Sequence, residues 1–437
     1  MFNRRRFLQM AAAIPASAVI GRYKAMAAPL RKQVKVTDVK CMIVRGLFEW
    51  PMVRIETDAG ITGIGEAYHG RGIKDLIMGL RSAIVGEDPL DVDRLYTKMI
   101  TATGGTGATA GVTVSAISGV EIALWDTAGK ILEAPVAKLL GGEYRKSVRA
   151  YWTRRPRDPM DPASCREFAQ MLKEQPYGFT GIKCDYMART GEPDERFSRH
   201  WTSSDLRRNV TAFTNIREAV GDDVDIAFHC HWEFDWIDAL TLARAVAPMK
   251  PAWLEDPMPP DFNESWVKLT AESPVPILQG ENLYTRHGFQ PFIVNQGCHI
   301  IQIDIPKAGG LLESKKIADL ADLYYIPTNA HNVCSPIGTI ASAHCAAAIR
   351  DFRGHEFNVG YSPGAVTPSS RPATAAARRT PGSSMMGSPE MWEKFAVYDR
   401  PFIKDSHIQL SDKPGLGVEL NEDFVRAHLA EGETWWG

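Results

Sequence analysis

The stretch IAFHCHWEFD, Ile226 to Asp235, sets two histidines, His229 and His231, one residue apart at the end of an apolar run. Further along, Glu255, Glu281, Asp304, His331 and Glu356 each close a short apolar segment, and Lys183 closes an earlier one. Imidazole and carboxylate on neighbouring segments are the donor types that hold a divalent cation. The bland alternative for each is a helix-cap or turn residue. Two acids 26 residues apart, preceded by a bis-histidine segment and followed by an aspartate, favour the metal site over that alternative. In a strand, residues i and i+2 share a face, so His229 and His231 should point one way and Cys230 the other.

Converging these residues demands a repeating scaffold. From His229 through Glu255, Glu281, Asp304 and His331 to Glu356 the steps are 26, 26, 23, 27 and 25 residues. A strand, a loop, an amphipathic helix and a return loop consume about that many, and a (β/α) barrel of about 250 residues needs eight such units. A doubly wound open sheet is the alternative; the unbroken train of units, each ending in a polar residue, favours closure. In a barrel the strands' C-terminal ends meet at one mouth. The longer step from Lys183 to His229 contains Met187 to Ser204, polar enough to be expected over that mouth. Ser362 to Glu390, rich in Pro, Ser and Ala, reads as a loop.

The front of the chain reads differently. Lys35 to Ala67 is strand-like with a turn at Asp58-Ala59-Gly60, and Thr113 to Glu133 carries apolar residues at helical spacing. Together they predict a small α+β domain. With 437 residues, 44% of them hydrophobic, the chain can bury more than one core. A formal net charge of -2 without a basic concentration argues against a nucleic-acid partner. No apolar run beyond the N-terminus is long enough to span a bilayer. The N-terminus itself, Arg4-Arg5-Arg6-Phe7-Leu8 before an Ala-rich apolar segment and Ala25-Met26-Ala27, reads as a twin-arginine export signal over residues 1–27. The expected destination is the periplasm or another exported location. Seven scattered cysteines without a CxxC read as buried, reduced thiols.

Five motifs, WLEDP, GEN, IIQIDIPKAGG, NAHNVCSPIG and AISGVEIALWD, resemble the enolase superfamily, in particular its mandelate racemase and muconate lactonizing enzyme branch and, within it, the galactonate dehydratase type. The resemblance covers nearly all of the chain after the signal. It implies an α+β capping domain (33–143), a modified (β/α)7β TIM-type barrel (144–400) and a C-terminal tail (401–437) that returns to the capping domain. It also implies removal of a proton next to a substrate carboxylate, with a divalent metal neutralising the charge that develops.

By position, the resemblance makes His331 the general base and Asp304 the acid that orients it. His231 becomes the group that protonates a departing hydroxyl, and Lys183 a lysine facing the substrate carboxylate. Glu255 and Glu281 match two metal ligands, and Glu356 an acid beside the substrate. Asp185 stands where a racemase of this kind would carry a second base, and with Trp152 and Arg154 it is placed among the substrate-binding residues. The family's remaining ligand position is an aspartate, and here it is His229. Mg2+ is the metal implied by resemblance; nitrogen in the shell suits Mn2+, Fe2+ or Zn2+ better. Either His229 is a ligand with altered metal preference, or Glu255, Glu281 and water hold the ion, or metal and chemistry are lost.

The expected function is dehydration of a galactonate-like sugar acid to a 2-keto-3-deoxy acid by a homo-oligomeric lyase. The alternatives are a racemase or epimerase, and a non-catalytic sugar-acid binder.

Overall fold

The computed structural model describes residues 34–46, 48–103, 109–185, 202–358 and 389–436. The twin-arginine segment, most of the 187–204 connection and nearly all of the 362–390 segment lie outside the described residues.

Strands β1 (Val36–Arg45), β2 (Glu49–Thr57) and β3 (Thr62–Glu66) form an antiparallel three-stranded sheet. The long helix Val112–Ile131 lies across it. Glycines on β3 permit that approach: a Cβ on Gly63 would come within 2.3 Å of the Ala123 carbonyl oxygen. The helix is buried on nearly every side because the barrel covers the face the sheet leaves open.

The barrel strands are β4 (Ser147–Thr153), β5 (Gly181–Asp185), β6 (Asp225–His229), β7 (Trp253–Glu255), β8 (Ile277–Gln279), β9 (Ile300–Ile303), β10 (Thr328–Ala330) and β11 (Phe352–Phe357). All eight pair in parallel in sequence order, and β11 closes the ring on β4 through Glu356 opposite Tyr151. A helix or helix pair stands between each strand and the next, which gives the seven βα units and final strand of a (β/α)7β barrel. The strands are short and almost wholly buried, as expected when helices cover the outside and side chains fill the inside. Local chemistry starts the helices where the pattern places them. Asp161 accepts from Ala163 N and Ser164 N ahead of Pro162, and Thr202 with Asp205 forms a reciprocal capping box.

Two buried glutamates fasten the small domain onto the barrel. Glu66, closing β3, accepts from Ser335 N and Gly338 N at the start of helix Pro336–Ala348, and Glu121 accepts from Leu311 N and Leu312 N at the start of helix Leu311–Leu323. Helix N-termini favour such carboxylates. Burial nevertheless pushes each carboxyl up to about 7. After pairing beside β4 at His407–Gln409, the C-terminal tail reaches the small domain, where Arg45 N donates to His428 O and Glu433 accepts from Ile43 N and Lys74 Nζ. All seven cysteines are buried free thiols. Among the described residues no helix is long and apolar enough to cross a membrane.

Candidate active site and metal centre

The polar residues that recur along the sequence sit at the C-terminal ends of successive barrel strands. Lys183, His229, Glu255 and Glu356 lie within β5, β6, β7 and β11; Asp304 and His331 follow β9 and β10 by one residue. Glu281 is reached through Gly280, whose φ of 144° only glycine adopts readily and whose Cβ would strike the Gln302 carbonyl oxygen at 2.1 Å.

His331 and Asp304 form a tight pair: Nδ1 lies 2.6 Å from Asp304 Oδ2, with both residues buried. Nε2 is thereby turned to the mouth, 3.4 Å from Glu281 Oε2 and 3.7 Å from Glu356 Oε2. Burial alone would lower the imidazole's pKa. The carboxylates of Glu281, Glu356 and Asp304 outweigh it and raise the pKa to about 9. The second imidazole, His231, places Nε2 2.9 Å from Asp185 Oδ1. Two His–carboxylate pairs therefore share one mouth, linked by His229, whose ring centroid is 3.7 Å from that of His231 and whose Nε2 is 3.6 Å from Glu281 Oε2.

Strand alternation is not what brings His229 and His231 together. Strand β6 ends at His229, and His231 and Trp232 take left-handed φ values of 54° and 60°. Cys230 does pack into the barrel's outer core.

One expected position needs correction, that of Trp152, and three other expected residues are placed beside it. Trp152 is fully buried between Phe168 and Phe179, facing the helices, because its neighbour Tyr151 takes the position that looks into the barrel. Arg154 follows β4 and lies over the outward Trp152 ring, its guanidinium carbon 5.7 Å from the centroid. Asp185 is the hydrogen-bond partner of His231, so its carboxylate orients an imidazole. Lys183, buried, is held 2.7 Å from Glu255 Oε1 and 2.8 Å from Glu356 Oε1, so its ammonium neutralises two acids under the site. Its pKa stands well above the usual value because those carboxylates overcome the effect of burial.

Glu356 keeps the mouth position expected of it. Thr153 donates to one oxygen, and Asn332 N lies 3.3 Å from the other. Its pKa is lowered, since Lys183 and His331 outweigh the burial that would raise it.

The metal-ligand residues partly regroup. One donor atom each of His229, Asp256 and Glu281 lies within 4.8 Å of the others. Glu281 Oε2 is buried and accepts no hydrogen bond among the described residues, as an oxygen kept for a cation would. Buried carboxyls crowd here: burial first, then Glu281 and Glu255, push Asp256 well above the usual range. An imidazole with buried carboxylates fits a divalent transition ion better than Mg2+. The residues present therefore fit a metal.

The sequence does not single out Asp256 or Lys307 as site residues, whereas Tyr68 and His69 lie in YHGRG (Tyr68 to Gly72), which with RGLFEWP (Arg45 to Pro51) is where the sequence places substrate choice. Asp256 directly follows Glu255, and strand alternation would send it outward; a left-handed φ of 45° turns it in. Lys307, in the KAGG run after Asp304, is buried with its Nζ on Asn282 Oδ1 and 4.5 Å from the Tyr68 ring centroid. The YHGRG loop supplies Tyr68 and His69, stacked at 4.3 Å, and Phe48 from the RGLFEWP loop stacks on His69 at 4.4 Å. Burial, then Lys307 and His331, lower His69 to about 4, so it is neutral at physiological pH.

Known proteins match along this whole plan. Residues 42–141 match the family described as mandelate racemase / muconate lactonizing enzyme, N-terminal domain, and residues 165–424 the family described as enolase C-terminal domain-like. The chain is 38% identical over 403 residues to a D-xylonate dehydratase of Haloferax volcanii, covering 92% of this chain and 91% of that protein. It is 27% identical over 390 residues to a D-galactonate dehydratase of Pectobacterium atrosepticum, covering 88% and 92%. A crystal structure of a mandelate racemase/muconate lactonizing enzyme-like protein from Rubrobacter xylanophilus superposes with a TM-score of 0.80 at 33% identity, over 93% of this chain and 100% of that one. With the barrel, its cap and the acid-and-imidazole mouth in place, the chain belongs to the mandelate racemase/muconate lactonizing enzyme group of the enolase superfamily.

Proposed function

We propose that this lyase dehydrates an aldonate, a five- or six-carbon sugar acid, to the 2-keto-3-deoxy acid. The observation that carries the reading is the pair of imidazole–carboxylate couples at one mouth, His331–Asp304 and His231–Asp185. Elimination of water needs one group to take the proton α to the carboxylate and another to give a proton to the β-hydroxyl. Asp304 fixes Nδ1 of His331 and aims Nε2 at the substrate, where it accepts the α-proton once it has shed the proton it holds below about pH 9. His231, oriented by Asp185, donates to the hydroxyl as its C–O bond breaks. The C–H electron pair becomes the enol double bond, water leaves, and the enol tautomerises to the ketone. A divalent cation held by His229, Glu281 and the Glu255–Asp256 pair would supply charge neutralisation at the substrate carboxylate.

Asp185 disfavours racemisation: the acid stands where a second base would be needed and is engaged with His231. Substrate contact falls to the rim. Lys307 has no carboxylate within ion-pair distance among the described residues, and with Tyr68 and His69 it offers a cationic, aromatic wall beside His331. Such a wall suits a polyhydroxy acid. The D-xylonate and D-galactonate dehydratase relatives make those two acids the first to try.

The test is a proton NMR screen of aldonates in deuterated buffer with Mn2+ or Mg2+. Appearance of 3-deoxy signals is expected. Exchange of the α-proton without loss of the hydroxyl would turn the assignment to a racemase or epimerase, and binding without either would make the protein a sugar-acid binder.

A further inference from the structure

His331 stands at the root of a segment that the small domain holds. Residues 332–335, between β10 and helix Pro336–Ala348, form neither strand nor helix. Buried backbone without ladder or helix bonds takes its partners from elsewhere. The barrel supplies two of them: Asn332 N lies 3.3 Å from Glu356 Oε2, and Asn358 Nδ2 donates to Asn332 O at 2.8 Å. The small domain supplies the others. Trp50, buried in β2, donates from Nε1 to Val333 O at 3.2 Å. Glu66, at the end of β3, accepts from Ser335 N at 3.0 Å, from Gly338 N at 2.9 Å and from the Ser335 hydroxyl. Both grips use space that a glycine leaves free. A Cβ on Gly338 would come within 2.8 Å of Glu66 Oε2, and a Cβ on Gly46 would fall 2.2 Å from the Trp50 ring. Trp50 belongs to the RGLFEWP loop, whose Phe48 stacks on His69 at the mouth.

We infer that Trp50 and Glu66 are positioning residues for His331: by fixing the path of residues 332–335, the small domain acts on proton abstraction as well as on substrate choice. This rests on the proposed reading of His331 as the base. The ring is aimed by Asp304 from the neighbouring strand, and the two residues follow the paired Ala330 and Ile303. Their 2.6 Å bond therefore holds only while the chain leaving β10 keeps its course. A misplacement of about 1 Å at a reacting group costs roughly a hundredfold in rate. Glu121 is the matched comparison. It grips a barrel helix in the same way, through Leu311 N at 2.8 Å and Leu312 N at 3.0 Å, but helix Ile305–Ala308 separates that grip from Asp304. If the grips served only to fasten two domains together, losing either glutamate would leave the His331–Asp304 bond alone.

The test compares the full-length protein with Glu66→Gln, Trp50→Phe and Glu121→Gln by two readouts. One is the proton NMR signal of His331 Nδ1–H, assigned with His331→Gln. A proton in so short a bond resonates far downfield; displacing the ring moves it upfield, whereas partial unfolding only weakens it. The other is kcat and KM for an aldonate. Glu66→Gln and Trp50→Phe should move the signal upfield and lower kcat by about ten- to a hundredfold, with KM within about threefold of the wild type. Glu121→Gln should lower the denaturation midpoint and leave the signal in place. An unmoved signal or an unchanged kcat in both Glu66→Gln and Trp50→Phe would overturn the inference, as would an equal displacement in Glu121→Gln. If the wild type turns over no aldonate, the proposed function fails, and the Nδ1–H signal by itself still decides the positioning role. If Glu66→Gln does not fold, Trp50→Phe, which keeps an aromatic ring in place, decides by the same readouts.

Discussion

Replacing Asp304 by Asn tests how the base is made. Asp304 Oδ2 lies 2.6 Å from His331 Nδ1 with both groups buried, so the bond is a charge-assisted one that water does not screen. Such bonds contribute about 1.5–3 kcal/mol. At 1.36 kcal/mol per pKa unit, Asp304→Asn should lower the His331 pKa by roughly 1–2 units from its value of about 9. The assay is an NMR titration of labelled histidine in metal-free protein, with His331→Gln to assign the resonance. Stability follows by linkage. The folded pKa lies above the ordinary 6.5, so the protonated imidazole stabilises the fold fully below about 6.5, and that contribution is lost as pH rises through about 9. Its size is about 3 kcal/mol, read as the denaturation difference between wild type and His331→Gln across that window. In Asp304→Asn the difference should shrink by about half or more. Turnover should fall by about 10²–10⁴, because the amide can donate to Nδ1 and force the proton onto Nε2, where the base must be empty. An unchanged His331 pKa in Asp304→Asn, or a wild-type difference that stays flat from 6.5 to 9, would refute the reasoning.

The remaining predictions separate the other groups. His231→Gln should keep α-proton exchange into solvent while slowing release of water by about 10²-fold or more; equal loss of both, followed by NMR in deuterated buffer, would remove His231 from the acid role. Lys183→Met strands Glu255 and Glu356 without their shared ammonium, and chemical denaturation at pH 8 should show a loss of about 3–5 kcal/mol that shrinks at pH 5 as the acids take up protons. Lys307→Gln should raise KM for an aldonate about tenfold with a smaller change in kcat, the pattern of lost binding common to ground and transition states. A fall in kcat alone would place Lys307 in the chemistry.

The barrel was legible because closure imposes a rhythm: one polar residue at each strand end, spaced by the length of a βα unit, is hard to produce otherwise. His331 with Asp304 and the Glu255 and Glu281 ends stand at or just beyond strand termini, where the strand alone fixes position. Positions go astray where period-two alternation is neglected inside a strand or carried past the strand's end. Within β4 the rule holds, and its neglect made Trp152 a substrate residue although Tyr151 occupies the inward face. Beyond β6 and β7 the rule fails, because His231, Trp232 and Asp256 adopt left-handed backbone conformations that no local propensity announces.

Those same left-handed turns explain why the substituted ligand position is tolerable. A non-glycine residue at positive φ costs of order 1–3 kcal/mol and persists only where its surroundings over-determine it. Here Trp232 N donates to Asp256 O and Trp232 Nε1 to Asp256 Oδ2, so the turn after β6 and the turn after β7 hold each other. The histidine strand and the extra carboxylate are thereby one structural unit. His229→Asp at this mouth would place a third carboxylate beside Asp256 and Glu281, all desolvated, and like charges so close raise one another's pKa. Restoring the family's aspartate supplies a third oxygen ligand and the missing negative charge, so His229→Asp should tighten Mg2+ binding at a pH where these acids are ionised. Weaker Mg2+ binding by His229→Asp than by the wild type at pH 8, measured by titration calorimetry, would refute that.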